Sequence, residues 1–514
     1  MILQNPVIPA DVPDVDVIRV DDTFYMVSTT MFFMPGAVLL RSKDLAHWEI
    51  ATYLFDKIAD NDFYELKNGK NAYGVGQWAT SLAYKDGLFY ACFVCHDQKK
   101  TYIYYTDQIE NRNWNHYEID EVFHDMSFLF FEGHSYLVYG TGHISIVELK
   151  DDLSGVKEGG LRQPLFDTDF EDMGLPCEGC RAYVKDGYIY LNFIEWPKEG
   201  KGHGRRREVS YRSKTLTGPY EKKILMDDDC GYLNRGVAQG SLVEAKDGSW
   251  YSVLFQDHGA VGRIPYVLPV VWEDNWPVLG IHGKVPKTFE LPFEEFKAEP
   301  IIISDSFNHD SDELPLQFEW NHNPIPEAWS FTKRPGYLRL TTAQLAQGFM
   351  TARNTLTERT NTPYSNFTIE ADVSMMKDGD YAGLAAFMSF FGTIGVKKED
   401  GAYYLSLCKK KEDGSQYEEA CLALSEKEGF DPSSIFFMVD FNFGDGKEDD
   451  LATFYYSLDG HNYEILGQAL HMLYTLDVFV GYRIGIFNYA TKELGGFVDF
   501  RNLEYLDQSV DADC

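Results

Sequence analysis

Five segments of the chain repeat one local pattern: VDDTFYMVST around Tyr25, YKDGLFYACF around Tyr90, FFEGHSYLVY around Tyr136, VKDGYIYLNF around Tyr190 and AKDGSWYSVL around Tyr251. Each reads as a tight turn followed by a strand. Asp-Gly or Asp-Asp between apolar runs tolerates hairpin geometry, and the Tyr, Phe and Val residues that follow suit a pleated, half-buried surface. Repetition at intervals of about 45 to 65 residues predicts five similar sheets. Radial repetition of four-stranded sheets removes long exposed edges, so a five-bladed propeller is the expected all-β architecture. RSKDLAHWEI at 41–50, TDQIENRNW ending at Trp114 and RSKTLTGPYE at 212–221 fit outer strands of the blades.

Asp14, Asp125 and Glu178 each lie 11 or 12 positions ahead of a hairpin tyrosine. In a propeller, equal offsets fall at equivalent places on the innermost strands, which ring the axis. The three acids therefore converge at one mouth of the channel, joined by Trp78 in GQWATS and by Gln239 and Gly240 in GVAQGS. Three carboxyls, an indole and an amide around a shallow cavity suit a sugar. Asp16, two residues beyond Asp14, reads as a side chain that bonds to nearby backbone, with the same face of the strand as the alternative.

The 33 Tyr and 36 Phe favour strands, and no apolar stretch of helical period persists. A net charge of −34 argues against nucleic acid or an anionic membrane as partner. The amino-terminal MILQNPVIPAD lacks the basic and apolar regions of a signal peptide, so a cytoplasmic protein is expected. Cys92, Cys95, Cys177 and Cys180 form two C-x-x-C pairs, but the pairs are about 80 residues apart, too far for a zinc ribbon. They read as reduced, buried thiols. Near Leu291–Ile303 the hairpin rhythm gives way to an acidic, proline-containing stretch. Residues 1–300 are thus expected to form the propeller and 301–514 a two-sheet sandwich of short alternating strands.

The stretches NPVIPADVPDVDVIRVDDTFYMVSTTMFFMPGAVLLRSKDLAHWE, HDMSFLFFEG, PCEGCRAYVKDGYIYL and FQDHGAVGRIPYVLPVVWEDNWPVLG together resemble glycoside hydrolase family 43, including members with a carboxyl-terminal sandwich. EWNHNP and RPGYLRLTT resemble that accessory domain. The resemblance implies an exo-acting, inverting hydrolase that releases terminal α-L-arabinofuranosyl or β-D-xylosyl units from small plant-derived oligosaccharides. An endo-arabinanase of the same fold and a non-catalytic glycan-binding protein are the alternatives. Motif by motif, it implies Asp14 as general base, Glu178 as general acid and Asp125 as the acid that orients Glu178 and keeps it protonated. It implies Phe32, Phe33 and Trp78 as the apolar wall of the sugar site and Arg263 as a hydroxyl-binding residue. No cofactor is required, while His258 corresponds to a histidine that holds a water-coordinated structural calcium ion (Ca2+) in the channel of some members. Phe32 and Ala238 depart from the pattern, standing where histidine is common. The FFGTIG segment near Phe391 is expected to reach the pocket wall from the second domain.

Overall fold

The computed structural model describes residues 1–508, apart from Asn113, Asp169, Gly200, Lys201, Glu412 and Asp445. Almost all regular structure is strand; the helical segments among the described residues are three short 3-10 turns. No helix among them is long and apolar enough to cross a membrane.

Five antiparallel sheets make the propeller. Their innermost strands are Asp16–Val20, Ser81–Lys85, Ser127–Phe131, Met173–Lys185 and Ala238–Glu244, and each pairs outward with the strand that carries its repeat tyrosine. In the turns Asp86-Gly87, Glu132-Gly133 and Asp186-Gly187 both residues have positive φ, the geometry that matches strand twist in a two-residue hairpin. The fifth hairpin departs from this: Ala245–Ser249 is a longer turn, closed by the Ala245 N–H on Ser249 O.

A ring of side-chain acceptors stitches the inner strands together. The Leu82 N–H donates to Asp16 Oδ2 (2.8 Å), Phe128 N–H to Ser81 Oγ (3.1 Å), Ala182 N–H to Ser127 Oγ (2.9 Å) and Val17 N–H to Ser241 Oγ (2.7 Å). These acceptors share one level, one per blade, and each satisfies a buried amide at the inter-blade seam. Asp16 is therefore the backbone-bonding residue that its position suggested. In the fourth blade the same level carries Arg181, and the link to the fifth blade runs instead from the Gln239 N–H to Glu208 Oε2 (2.8 Å).

The carboxyl-terminal part is a sandwich of two eight-stranded sheets. One of these sheets borrows a strand from the propeller. Phe33–Met34 pairs with Glu319–Asn321 in the register Trp320↔Met34 and Asn321↔Phe33. A single apolar cluster runs through this junction, joining Phe33 and Met34 to Trp320, Leu356 and Phe387. A buried ionic group lies beside it: Glu319 accepts from Arg359 (2.9 Å), from Arg483 and from the Tyr53 hydroxyl of the first blade (2.9 Å). Asp11 ties three segments at once, accepting from the Arg263 N–H (2.7 Å) and the Gly481 N–H (2.9 Å) while its own carbonyl accepts from Arg359 (3.2 Å).

Candidate active site

At one mouth of the propeller channel a cavity of about 340 Å3 is lined by Asp14, Asp125 and Glu178 together with Trp78, Gln239 and Arg263. The three acids come from three blades. Asp14 and Asp125 are buried, and Glu178 retains about a quarter of its side-chain exposure. Asp14 Oδ1 accepts from the Arg263 guanidinium (2.7 Å) and from the Gln239 amide (3.3 Å). Asp125 Oδ2 accepts from the Gly179 N–H (3.1 Å), and Glu178 Oε2 from the Thr141 hydroxyl (3.3 Å).

Local backbone explains why these side chains reach the cavity. Asp14 (φ 54°), Asp125 (φ 48°) and Gln239 (φ 65°) are all left-handed, a conformation that costs on the order of 1 kcal/mol for a residue with a Cβ. Strand pairing slips at Glu178 and between Ala238 and Gly240. Each irregularity breaks the two-residue alternation of a strand and turns an extra side chain toward the axis. Gly240 itself does not face the cavity. It allows close strand approach, since a Cβ there would meet Val253 O at 1.9 Å.

The irregularity at Asp125 also brings in its neighbour. His124 lines the cavity with Nε2 3.8 Å from Asp125 Oδ2 and 3.7 Å from Glu178 Oε2, and its Nδ1 is 3.1 Å from His96 Nε2. Burial pulls the His124 pKa down, but Asp125 and Glu178 outweigh it and raise it to about 9. Asp125 is pushed up to about 6, first by burial and further by the charges of Glu178 and Asp14, with His124 opposing. His96 is held below its ordinary value by burial and by His124. Trp78 covers this corner, its ring 4.8 Å from His96, 5.8 Å from His124 and 5.7 Å from Phe479.

The adjoining wall belongs to the sandwich. Tyr474, Leu476 and Phe479 line the cavity, and Phe479 lies 4.6 Å from the Arg263 guanidinium. FFGTIG is not on this wall. Phe391 is buried against Phe349, and the neighbouring Phe390 carbonyl accepts from the Tyr482 hydroxyl (2.8 Å), so the segment supports the lining residues from behind.

Phe32 and Phe33 do not line the cavity either. Both are fully buried at the domain junction, Phe32 stacked on His322 (4.9 Å) and Phe33 under the Arg483 guanidinium (3.7 Å) and beside Phe387. Pairing of Phe33–Met34 with the sandwich draws them outward, a contact that local sequence does not encode. Ala238 is fully buried in the fifth inner strand.

His258 is likewise absent from the lining. It stacks on Tyr232 (3.8 Å), and its Nε2 lies 3.1 Å from Gln256 Oε1 and 3.4 Å from the Tyr266 hydroxyl, beside a separate cavity. It belongs to no cluster of three His, Cys or acidic ligand atoms among the described residues. Calcium takes a shell of hard oxygens rich in carboxylate, and the described groups around His258, a phenol ring, an amide oxygen and a phenol hydroxyl, do not fit it. The four cysteines of the two C-x-x-C pairs are free and buried, and burial pushes Cys177 up to about 12.

The sequence profile of glycosyl hydrolases family 43 matches residues 3–277. The chain belongs to this family. The profile of the β-xylosidase carboxyl-terminal concanavalin A-like domain matches residues 304–506. A β-xylosidase of Formosa agariphila is 26% identical, with 96% of this chain and 88% of that protein covered. A non-reducing end α-L-arabinofuranosidase of Bacteroides ovatus is 30% identical over 66% of this chain and 64% of that protein. A bifunctional GH43-CE structure from Bacteroides eggerthii superposes with a TM-score of 0.91 at 40% identity, covering 99% of this chain and 64% of the longer protein. The family 43 chain is thus a glycoside hydrolase with two domains built as in its relatives.

His124, Arg206, Phe255 and Asp257, which also line the cavity, were not singled out from sequence. For His124 the missing signal was the backbone irregularity at its neighbour Asp125, whereas Phe255 and Asp257 lie two apart on one face of a regular strand. Tyr474, Leu476 and Phe479 carried no such signal, because only domain packing brings them more than 400 residues along the chain to Asp14.

Proposed function

We propose that the protein is an exo-acting, inverting glycosidase that removes single terminal α-L-arabinofuranosyl or β-D-xylosyl units. The observation that carries the reading is the cavity itself: three carboxyls from three blades, under a wall contributed by the second domain. A cavity of about 340 Å3 lies at the small end of ligand sites, and the sandwich wall closes a side that an endo-acting groove would leave open. Relatives named β-xylosidase and α-L-arabinofuranosidase support the pentose assignment.

In this mechanism Asp14 is the general base. Arg263 and Gln239 fix its carboxylate so that one oxygen takes a proton from water as that water attacks the anomeric carbon. Glu178 gives its proton to the leaving oxygen on the opposite face. Asp125 and the His124 cation stand beside Glu178 as groups of opposite charge, His124 3.8 Å from Asp125 and 3.7 Å from Glu178. After transfer, the new Glu178 carboxylate faces His124 and the Thr141 hydroxyl, which stabilise it. Trp78 and Phe479 exclude water from the remaining walls. Digestion of a reduced arabino-oligosaccharide and of xylo-oligosaccharides, with product anomers followed by proton NMR, tests the proposal. Monomer alone, first seen as the inverted anomer, is the expected result; internal fragments or the retained anomer would overturn it.

A further inference from the structure

Below the catalytic cavity, the axis of the propeller is closed by one side chain. Arg181 is 2% exposed. Its Nη2 donates to the carbonyls of Asp14 (2.9 Å), Thr80 (3.2 Å) and Val15 (3.4 Å), its Nη1 to Cys180 O (2.8 Å), and its Nε lies 3.5 Å from Asp16 Oδ1. Carbonyls from the first and second blades and a carboxylate thus converge on a cation carried by the fourth. On the far side Arg181 lines a second cavity of about 360 Å3, with Asp16, Ser81, Ser127 and Ser241 around it, so it separates the two mouths of the channel.

We infer that Arg181 is a positioning residue for the catalytic base and the built-in cation of the propeller axis, so that this enzyme needs no divalent metal in its channel. A convergence of carbonyl and carboxylate oxygens from separate blades is the kind of set that a hard cation would otherwise occupy. A guanidinium supplies the charge covalently and, with donors in a fixed fork, reaches several acceptors at once. Two of those acceptors are the carbonyls of Asp14 and Val15, which flank the left-handed turn that aims the base. Arg181 is also the one member of the inner ring that accepts no inter-blade amide bond, so its level in the fourth blade is given over to charge. The groups facing it are Asp14 and Asp16 from the first blade, Asp125 from the third, and Glu208 and Cys180 on its own sheet; Asp125, Asp16 and Glu208 all feel its charge as a lowering influence.

This inference rests on Asp14 being the base, and Asp14→Asn is the control: near-normal activity of that variant would defeat the functional reading whatever Arg181 does. The decisive experiment compares wild type, Arg181→Lys and Arg181→Met as full-length proteins, with the better aryl pentoside as substrate and thermal melting to confirm folding. Arg181→Met should lose roughly 100-fold in kcat with KM within about threefold, and the acid limb of its kcat/KM profile should move to higher pH, since ionising the carboxylates without the fixed cation is harder. Arg181→Lys should keep the acid limb but lose roughly tenfold in kcat, because an ammonium cannot reach all the carbonyls. A folded Arg181→Met enzyme with wild-type kcat and acid limb would overturn the inference. Should Arg181→Met not fold, a wild-type kcat for Arg181→Lys would do the same. Wild-type activity lost on dialysis against a chelator and restored by calcium would also overturn it; unchanged activity is expected.

Discussion

Arg263 donates to Asp14 Oδ1 at 2.7 Å, and both side chains are almost fully buried. A charge pair in that setting is strongly oriented, because removing either partner leaves the other uncompensated in a poorly solvated place. The same Arg263 packs under Phe479 of the second domain and donates its backbone N–H to Asp11. Asp14, the Arg263 guanidinium at the cavity and the domain junction are therefore one connected unit.

Replacing Asp14 by Asn should remove general-base catalysis, with kcat/KM falling by about 10³ or more, and should lower the melting temperature because the buried Arg263 guanidinium loses its charged partner. Arg263→Met should lose about 10²-fold, with KM raised as well as kcat lowered, since this residue both holds the Asp14 carboxylate and lines the cavity. Steady-state kinetics on aryl arabinofuranoside and xylopyranoside measure both.

Glu178→Gln should be nearly inactive on an alkyl glycoside and retain far more activity on an aryl glycoside with a very acidic leaving group. A leaving group that departs without a proton does not need the acid. Equal losses on the two substrates would remove Glu178 from that role.

His124 is raised from its ordinary value of 6.5 to about 9 by Asp125 and Glu178, against the opposing effect of burial. Because the folded value lies above the unfolded one, its stabilising contribution is complete below about pH 6.5 and is lost as pH rises through about 9. Unfolding free energy should fall across that window by about 3 kcal/mol, and the decline should be absent in His124→Gln. Denaturant titrations at pH 6, 7.5 and 9 give the comparison; an identical decline in the variant would assign it elsewhere.

Ending the chain after Ile303 should leave the propeller insoluble or unfolded. The truncation uncovers Phe32, Phe33 and Met34, removes the strand paired with them and strips Asp11 of its Gly481 contact. A soluble, active fragment would show that the junction is dispensable.

Phe479→Ala keeps the junction while opening the cavity wall. Loss of a half-buried ring beside Arg263 and Trp78 should lower kcat/KM by about ten- to a hundredfold, mostly through KM, with a small change in melting temperature. Equal activity would mean that the sandwich wall does not touch substrate.

Much of this protein is set by short-range pattern. The Asp-Gly and Glu-Gly turns with their tyrosine strands specify five sheets through local twist and alternation, and equal spacing from each turn places Asp14, Asp125 and Glu178 at one level of a ring. Trp78 and Gln239 follow from the same register, whereas Arg263, on the third strand of its blade, was legible only through the family resemblance. What needed the folded molecule were departures from regularity and contacts between distant segments. Left-handed backbone at Asp125 turns His124 into the cavity, although strand alternation would point it away. Phe32 and Phe33 stay out of the cavity because a sandwich strand pairs with Phe33–Met34, and Phe479 enters it from the other end of the chain. Periodicity is a property of neighbours along the backbone, so sequence alone determined the sheets and the ring of acids; which walls close over that ring depends on how two separately patterned domains bury their apolar faces together, and only tertiary packing decided it.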